Sequence, residues 1–321
     1  MARVCAAMAA ALLCVWSNFG LSQTYPAKAI RLVVPSSPGG GTDIVGRVLA
    51  QKLFQGLEQP VVVVNRAGAG TMIGNEFVAK SPPDGYTLLM GISTLAILPA
   101  MYTTMRYDAL KDFAPISQAV TVPNVLVVHP SLPARNVKEL IVLARSRPGQ
   151  LAAGSAGTGT NPHLSLELFR SLAHIDVVHE PYKGSGQSIV GLISGEIALN
   201  FISVPTAVPH LKTGKARALG VTTAKRSEAV PDLPTIAEAG LRGYEATQWF
   251  GVLAPAGTPR PIIERLHREV TTALQAPDVK KHLATEGAEV VAGTPQQFES
   301  YLRSETEKWA RVIKAAGIKP Q

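Results

Sequence analysis

Short apolar runs alternate with amphipathic stretches along most of this chain. Residues 30–34, 61–64 and 87–90 are continuous runs, the pattern of strands buried on both faces. Residues 44–54 and 74–80, between them, carry helical spacing. A strand–helix–strand rhythm predicts a parallel sheet covered on both sides.

The texture changes at residues 118–128, a long extended run interrupted by Pro123. Proline lacks the N–H that a ladder needs, so this run is expected to leave one sheet and enter another. A second series follows, with helices over 137–144, 164–173 and 186–194 and strands over 151–154, 175–178, 197–201 and 216–221. Residues 248–254 read as the return crossing. Helices over 260–274 and from 295 to about 316 close the chain, the second opened by the capping-box pair Thr294 and Gln297. The expected fold is α/β, with a discontinuous first domain (23–122 and 248–321) and a second domain (123–247). Two crossings between α/β domains form a hinge suited to closure around a ligand.

Composition narrows the reading. The chain has 321 residues, 46% hydrophobic and 17% charged, enough for two domains with ample core. Only 6% are aromatic, which argues against a base-stacking nucleic-acid surface. The net charge is +8, but Lys111, Lys138, Arg145, Arg147, Lys212, Lys215, Lys280 and Lys281 are scattered, as on a soluble surface without a nucleic-acid or membrane patch. Arg3, the apolar residues 4–16 and the small-x-small site Gly20-Leu21-Ser22 read as a secretory signal (1–22) cleaved before Gln23. Leu13 stands where a lipidated cysteine at 14 needs a small residue, so lipidation is not expected. Both cysteines, Cys5 and Cys14, lie in that signal, leaving no disulfide, thiolate nucleophile or zinc–cysteine site afterwards.

The candidate chemistry sits in glycine-rich turns. Ser36, Pro38, Gly39, Gly40, Gly41, Thr42 and Asp43 join the first strand to the first helix. The turn is either a tight connection or an anion cradle, because first-turn amides lack intrahelical partners and face the positive end of the helix dipole. Asp43 either caps those amides or touches a ligand. Gly154 to Gly159 has P-loop spacing, but Thr160 replaces the lysine and Asn161 the hydroxyl residue, so a triphosphate is not expected. Ser155, Gly157, Thr158, Gly159 and Thr160 suit a smaller anion. Gly68, Gly70 and Gly74 loosely resemble a dinucleotide fingerprint without its acidic partner, and read as a cleft-lining loop or as turn chemistry. Tyr182 and Gly184 form a turn that closes the cleft or serves the scaffold, with Lys183 a surface charge. His163, His174 and His179 lack metal-ligand spacing, so neither a metal nor a cofactor is expected. With no Gly-x-Ser-x-Gly elbow and no carboxylate pair, the residues suit holding a ligand rather than transforming it.

The chain resembles the Bug family of extracytoplasmic solute receptors, the substrate-binding component of tripartite tricarboxylate transporters. The resemblance runs over essentially all of the mature chain. Its most specific piece is Pro38-Gly39-Gly40-Gly41-Thr42-Asp43. It is carried also by Tyr25-Pro26, residues 30–35, Asn65-Arg66-Ala67-Gly68-Ala69-Gly70, Pro83-Asp84-Gly85-Tyr86, residues 154–160, Pro181-Tyr182-Lys183-Gly184 and residues 234–240. It implies a two-lobed periplasmic-binding-protein-like type II fold holding a carboxylate between lobes, gripped partly through water by the loops 36–43 and 154–160. Gly91, Ser93 and Thr94 would face the ligand's other end, with Gly68, His163 and Tyr182 completing the site. The resemblance further implies a periplasmic monomer that delivers a di- or tricarboxylate, acidic amino acid or aromatic carboxylate to membrane permease subunits. An exported nucleotide-using enzyme on a doubly wound fold, built on the Gly68 motif, and a receptor serving a sensor are the alternatives.

Overall fold

The computed structural model describes residues 25–39, 41–182, 184–285 and 287–320. The expected signal segment, Gly40 and Lys183 lie outside the described residues.

Strand β1 (Ile30–Val34) lies between β2 (Val61–Asn65) and β3 (Thr87–Ile92), parallel to both. The sheet continues through β10 (Gln248–Pro255), antiparallel to β3, then β4 (Phe113–Val122) and β11 (Glu289–Val290), in the order β11-β4-β10-β3-β1-β2. The second sheet holds β5 (Asn124–Val128), β6 (Ala152–Ser155), β7 (Val178–Pro181), β8 (Leu199–Ser203) and β9 (Arg217–Val221), in the order β7-β6-β8-β5-β9. The sheets are mixed rather than wholly parallel, because β10 runs against β3 and β5 runs against β8 and β9. The chain passes from the first sheet to the second across Pro123 alone, between Val122 and Asn124.

Alternation along the strands explains their layering. Ile30, Leu32 and Val34 pack with Val45, Leu49 and Leu53 of α1 (Gly41–Leu57) and Leu266, Val270 and Leu274 of α8 (Arg260–Gln275). Val33 and Leu89 turn to the opposite face. There they join a core that includes Phe298, Trp309 and Ile313 of α10 (Pro295–Ala315) and runs on to Phe169 and Phe201 beneath the second sheet. Buried apolar packing therefore joins the two sheets. Thr294 and Gln297 form the expected capping box at the head of α10.

The remaining helices are α2 (Met72–Ala79), α3 (Thr94–Met101), α4 (Val137–Ser146), α5 (Asn161–Ala173), α6 (Ser185–Ile193), α7 (Val204–Lys212) and α9 (Pro277–Thr285). Three of them lack a signal in the hydrophobic pattern. Helix α3 is buried on nearly all sides and carries Pro99, so no amphipathic stripe marks it. Helix α7 carries Pro205 in its first turn and Pro209 within, and α9 buries only Val279 and Leu283. The strand expected over 175–178 forms over 178–181 instead, where it pairs with β6.

Candidate functional site

Five helices begin at one cavity of about 460 Å³. Gly41 and Thr42 open α1, Ser93 and Thr94 open α3, and Thr160, Asn161 and Pro162 open α5. Ser185 opens α6, and Ser203 and Pro205 open α7. Each brings the positive end of a helix dipole, and α1, α3, α5 and α6 bring first-turn N–H groups without intrahelical acceptors, whereas in α7 Val204 N already donates to Pro123 O and Pro205 has no N–H. Val122, Asn124 and Gln248 bring both sheet-to-sheet crossings to the same wall, and Val45, Ile92, Phe250 and Ala288 supply apolar surface. Among the described residues lining the cavity, none is ionisable. The arrangement favours an anion held by neutral donors.

One buried group sharpens this. Asn161 is 6% exposed, and its Oδ1 accepts from Asn124 Nδ2 at 2.6 Å. Its own Nδ2 is buried with no partner among the described residues. An unpaired buried donor costs roughly 1–3 kcal/mol, so a ligand oxygen that meets it recovers that cost.

Of the residues expected at the site, Gly41, Thr42, Ser93, Thr94 and Thr160 line the cavity. The other described ones have different placements. Asp43 is buried and holds its own loop: its carboxylate accepts from Gly39 N, Asn65 Nδ2 and Arg47 Nε, each at 2.9 Å. Burial alone would raise its pKa, but the hydrogen bonds from Arg47, Gly39 and Asn65 outweigh it and hold the group below the usual carboxylate range. Asn65 Nδ2 also donates to Ser36 O at 3.1 Å, while Pro38 and Gly39 are exposed. Gly91 lies within β3 opposite Gly251, and Leu253 fills the space a side chain there would need.

The Gly68 loop lies behind the cavity wall rather than on it. It carries Thr71, whose hydroxyl meets that of Thr94 at 2.8 Å. Gly74 packs against Pro35 and Arg66 O, while Gly68 and Gly70 turn the chain at positive φ, so close packing and turn geometry account for these glycines and the dinucleotide reading loses its basis.

The second expected loop is held from beneath. Gly157 and Gly159 have positive φ, 125° and 77°, which lets the chain turn sharply ahead of α5. Thr160 Oγ1 donates to Gly157 O at 2.6 Å, and Gly157 N donates to Ser155 Oγ at 3.1 Å. Ser155 Oγ also meets His179 Nε2 at 2.6 Å. His163 accepts from Gly159 N through Nδ1 at 3.1 Å and stacks on His179 with ring centroids 4.0 Å apart. Burial, then the neighbouring His179 and Arg170, push His163 down to about 4. His163, His179 and Ser155 are therefore supports of the loop. Thr158 is exposed, and Tyr182 N donates to Ser155 O at 3.1 Å while its ring lies against Gly191.

The wall residues Asn124, Ser203, Pro205, Gln248 and Phe250 were not expected there, and Asn161 and Ser185 belong to candidate turns without having been singled out. A polar residue directly before or at a helix start was the available signal for Asn161, Ser185 and Ser203. No group of three or more His, Cys, Asp or Glu that could hold a metal ion occurs among the described residues, and no described helix is long and apolar enough to cross a membrane.

The family model for the tripartite tricarboxylate transporter family receptor matches residues 45–318. Protein BugT of Bordetella pertussis is 41% identical over 302 residues, covering 93% of this chain and 92% of that protein. The structure of R. palustris Rpa4515 with adipate is 39% identical with a TM-score of 0.77, covering 92% of this chain and 100% of that one. MatC from Rhodopseudomonas palustris with bound malate is 31% identical with a TM-score of 0.73, covering 90% and 100%.

Proposed function

The chain belongs to the tripartite tricarboxylate transporter receptor family, and from that premise we propose that it captures a small organic carboxylate in the cavity between its two sheets and hands it to membrane permease subunits. It is a solute-binding receptor, not an enzyme. The observation that carries the carboxylate reading is Asn161, whose Nδ2 is buried and unpartnered and which lines a cavity ringed by five helix starts and no described charged side chain. Adipate in Rpa4515 and malate in MatC support the ligand class.

The mechanism follows from the donors. Carboxylate oxygens accept hydrogen bonds from first-turn amides and from Asn161, and closure removes water from around them. Charge-assisted bonds are stronger than neutral ones, and more so in a dry site. The lobes in this reading are 23–122 with 248–321, and 123–247. Supporting that division, β4 ends at Val122 and β10 begins at Gln248, both in the first sheet. Movement would be taken up at Pro123 and at the stretch before Gln248. The family's receptors act in the periplasm, and the apolar residues 4–16 support export of this chain into that space.

A thermal-shift screen against adipate, malate, citrate, glutamate and nicotinate tests the reading. A ligand at a hundred times its Kd stabilises the folded state by about 2.7 kcal/mol, a clear rise in Tm. One carboxylate raising Tm supports the proposal. No shift with any of them, on protein unfolded and refolded to strip a carried-over ligand, contradicts it.

A further inference from the structure

We propose that Asn124 is a positioning residue that decides which end of the Asn161 amide is left for the ligand, and so sets the cavity's preference for hydrogen-bond acceptors. The inference rests on the carboxylate reading above.

An asparagine side chain offers a donating and an accepting end, and which end faces a ligand is fixed only by what holds the other. Here Asn124 Nδ2 donates to Asn161 Oδ1 at 2.6 Å, and Ser165 Oγ approaches the same oxygen at 3.5 Å. Turning the Asn161 amide over would set NH₂ against NH₂ at Asn124, while Ser165, whose hydroxyl donates to Asn161 O at 2.8 Å, accepts either orientation. Nδ2 is therefore the free end, and an acceptor ligand satisfies it. With the amide reversed, a carboxylate would meet a carbonyl oxygen and be repelled.

The backbone of Asn124 is held in place. It is 1% exposed and is the first residue of β5 after the Pro123 crossing. Its N–H donates to Thr222 Oγ1 at 3.1 Å, and Thr222 N donates back to Asn124 O at 2.9 Å. Thr222 O in turn accepts from Ala246 N at 3.0 Å, two residues ahead of Gln248, where the chain re-enters the first sheet. A continuous path of hydrogen bonds thus ties the amide of Asn161 to both crossings. Movement at the crossings during closure would be felt at the group that meets the ligand.

The test is a double-mutant cycle read by calorimetric titration, with whichever of adipate, malate or citrate the wild type binds most tightly as the probe. Asn124→Asp keeps the shape of the side chain but replaces its donor with an acceptor, so Asn161 turns its NH₂ toward position 124. The proposal expects Asn124→Asp to weaken probe binding at least about tenfold when Asn161 is present. With Asn161→Ala already in place, the same change should weaken it less than about threefold. Equal losses in both backgrounds would mean that residue 124 acts by its charge or by general structure, and would overturn the proposal. Asn124→Ala, run through the same cycle with unliganded melting as a check on folding, gives the answer if the aspartate variant does not fold. If the wild type binds none of the three probes or the rest of the carboxylate panel, the carboxylate reading itself fails and this proposal with it. If the wild type binds and the two effects add, only this proposal fails.

Discussion

The backbone N–H of Gly159 donates to Nδ1 of His163 at 3.1 Å, so the loop ahead of α5 rests on an imidazole that must stay neutral. Protonation would place a proton on the accepting nitrogen and break that bond. Around the ring stand His179, stacked on it and bonded to Ser155, and Glu167 and Arg170, one and two turns along the same helix.

This arrangement makes stability depend on mildly acidic pH. The folded-state pKa of His163 is about 4, below the ordinary value of 6.5, because burial, His179 and Arg170 oppose its charge. Between those values the unfolded chain binds the proton and the folded chain does not. Stability from this group is therefore constant above pH 6.5 and falls as pH drops toward 4, by about 3 kcal/mol at most. Thermal melts from pH 7.5 to 4.5 should show this decline. His163→Asn, whose Oδ1 can still accept from Gly159, should flatten at least half of it, the residue of the slope belonging to His179. An unchanged slope would show that His163 is not the titrating group.

Asp43 anchors the other loop and acts in a different pH range. Its pKa is lowered, so its contribution is present above the unfolded carboxylate value of 3.8 and is lost as pH falls through the folded one. Asp43→Ala removes the acceptor for Gly39 N, Asn65 Nδ2 and Arg47 Nε together, and should cost roughly 3 kcal/mol in urea unfolding. Asp43→Asn keeps one accepting oxygen and should cost less. A loss under about 0.5 kcal/mol for the alanine variant would show that these bonds do not hold the loop.

Gly74 tests the packing role given to the Gly68 loop. A Cβ at that position would lie 2.7 Å from Pro35 Cβ and 2.8 Å from the backbone oxygen of Arg66. Backbone cannot yield as a side-chain tip can, so Gly74→Ala should destabilise by roughly 1–3 kcal/mol. Added NAD should not raise Tm in either protein. A Gly74→Ala variant as stable as wild type would remove the reason given for this glycine.

Much of the architecture was legible in the sequence. Pro123 within an otherwise apolar run marked the step between sheets, and the runs ahead of Gly39 and Gly154 marked the strands that feed two of the five helix starts. The mixed direction of the strands was not legible, because an apolar run such as residues 124–128 reads the same whichever way it points. Helices α3 and α7 escaped for a related reason: one is buried all round, and both contain proline, so neither shows a stripe. The two turns that resembled anion cradles did lead to the cavity, yet of their described residues only Gly41, Thr42, Ala156 and Thr160 line it. Asp43, Ser155 and His163 hold the turns in shape, a distinction that depends on which atoms meet in space. Asn124 and Asn161 could not be paired from sequence, since they are brought together only by the crossing and by the start of α5.

The measurement that bears most directly on the central claim is a crystal structure of the chain with the carboxylate that gives the largest thermal shift. The account predicts carboxylate oxygens within about 3.2 Å of Asn161 Nδ2 and of first-turn N–H groups from at least two of the five helices, with no lysine or arginine paired to them. A carboxylate bound instead by Lys212 and Arg217 in the groove beside β9, or held in the central cavity by a charged side chain, would contradict it.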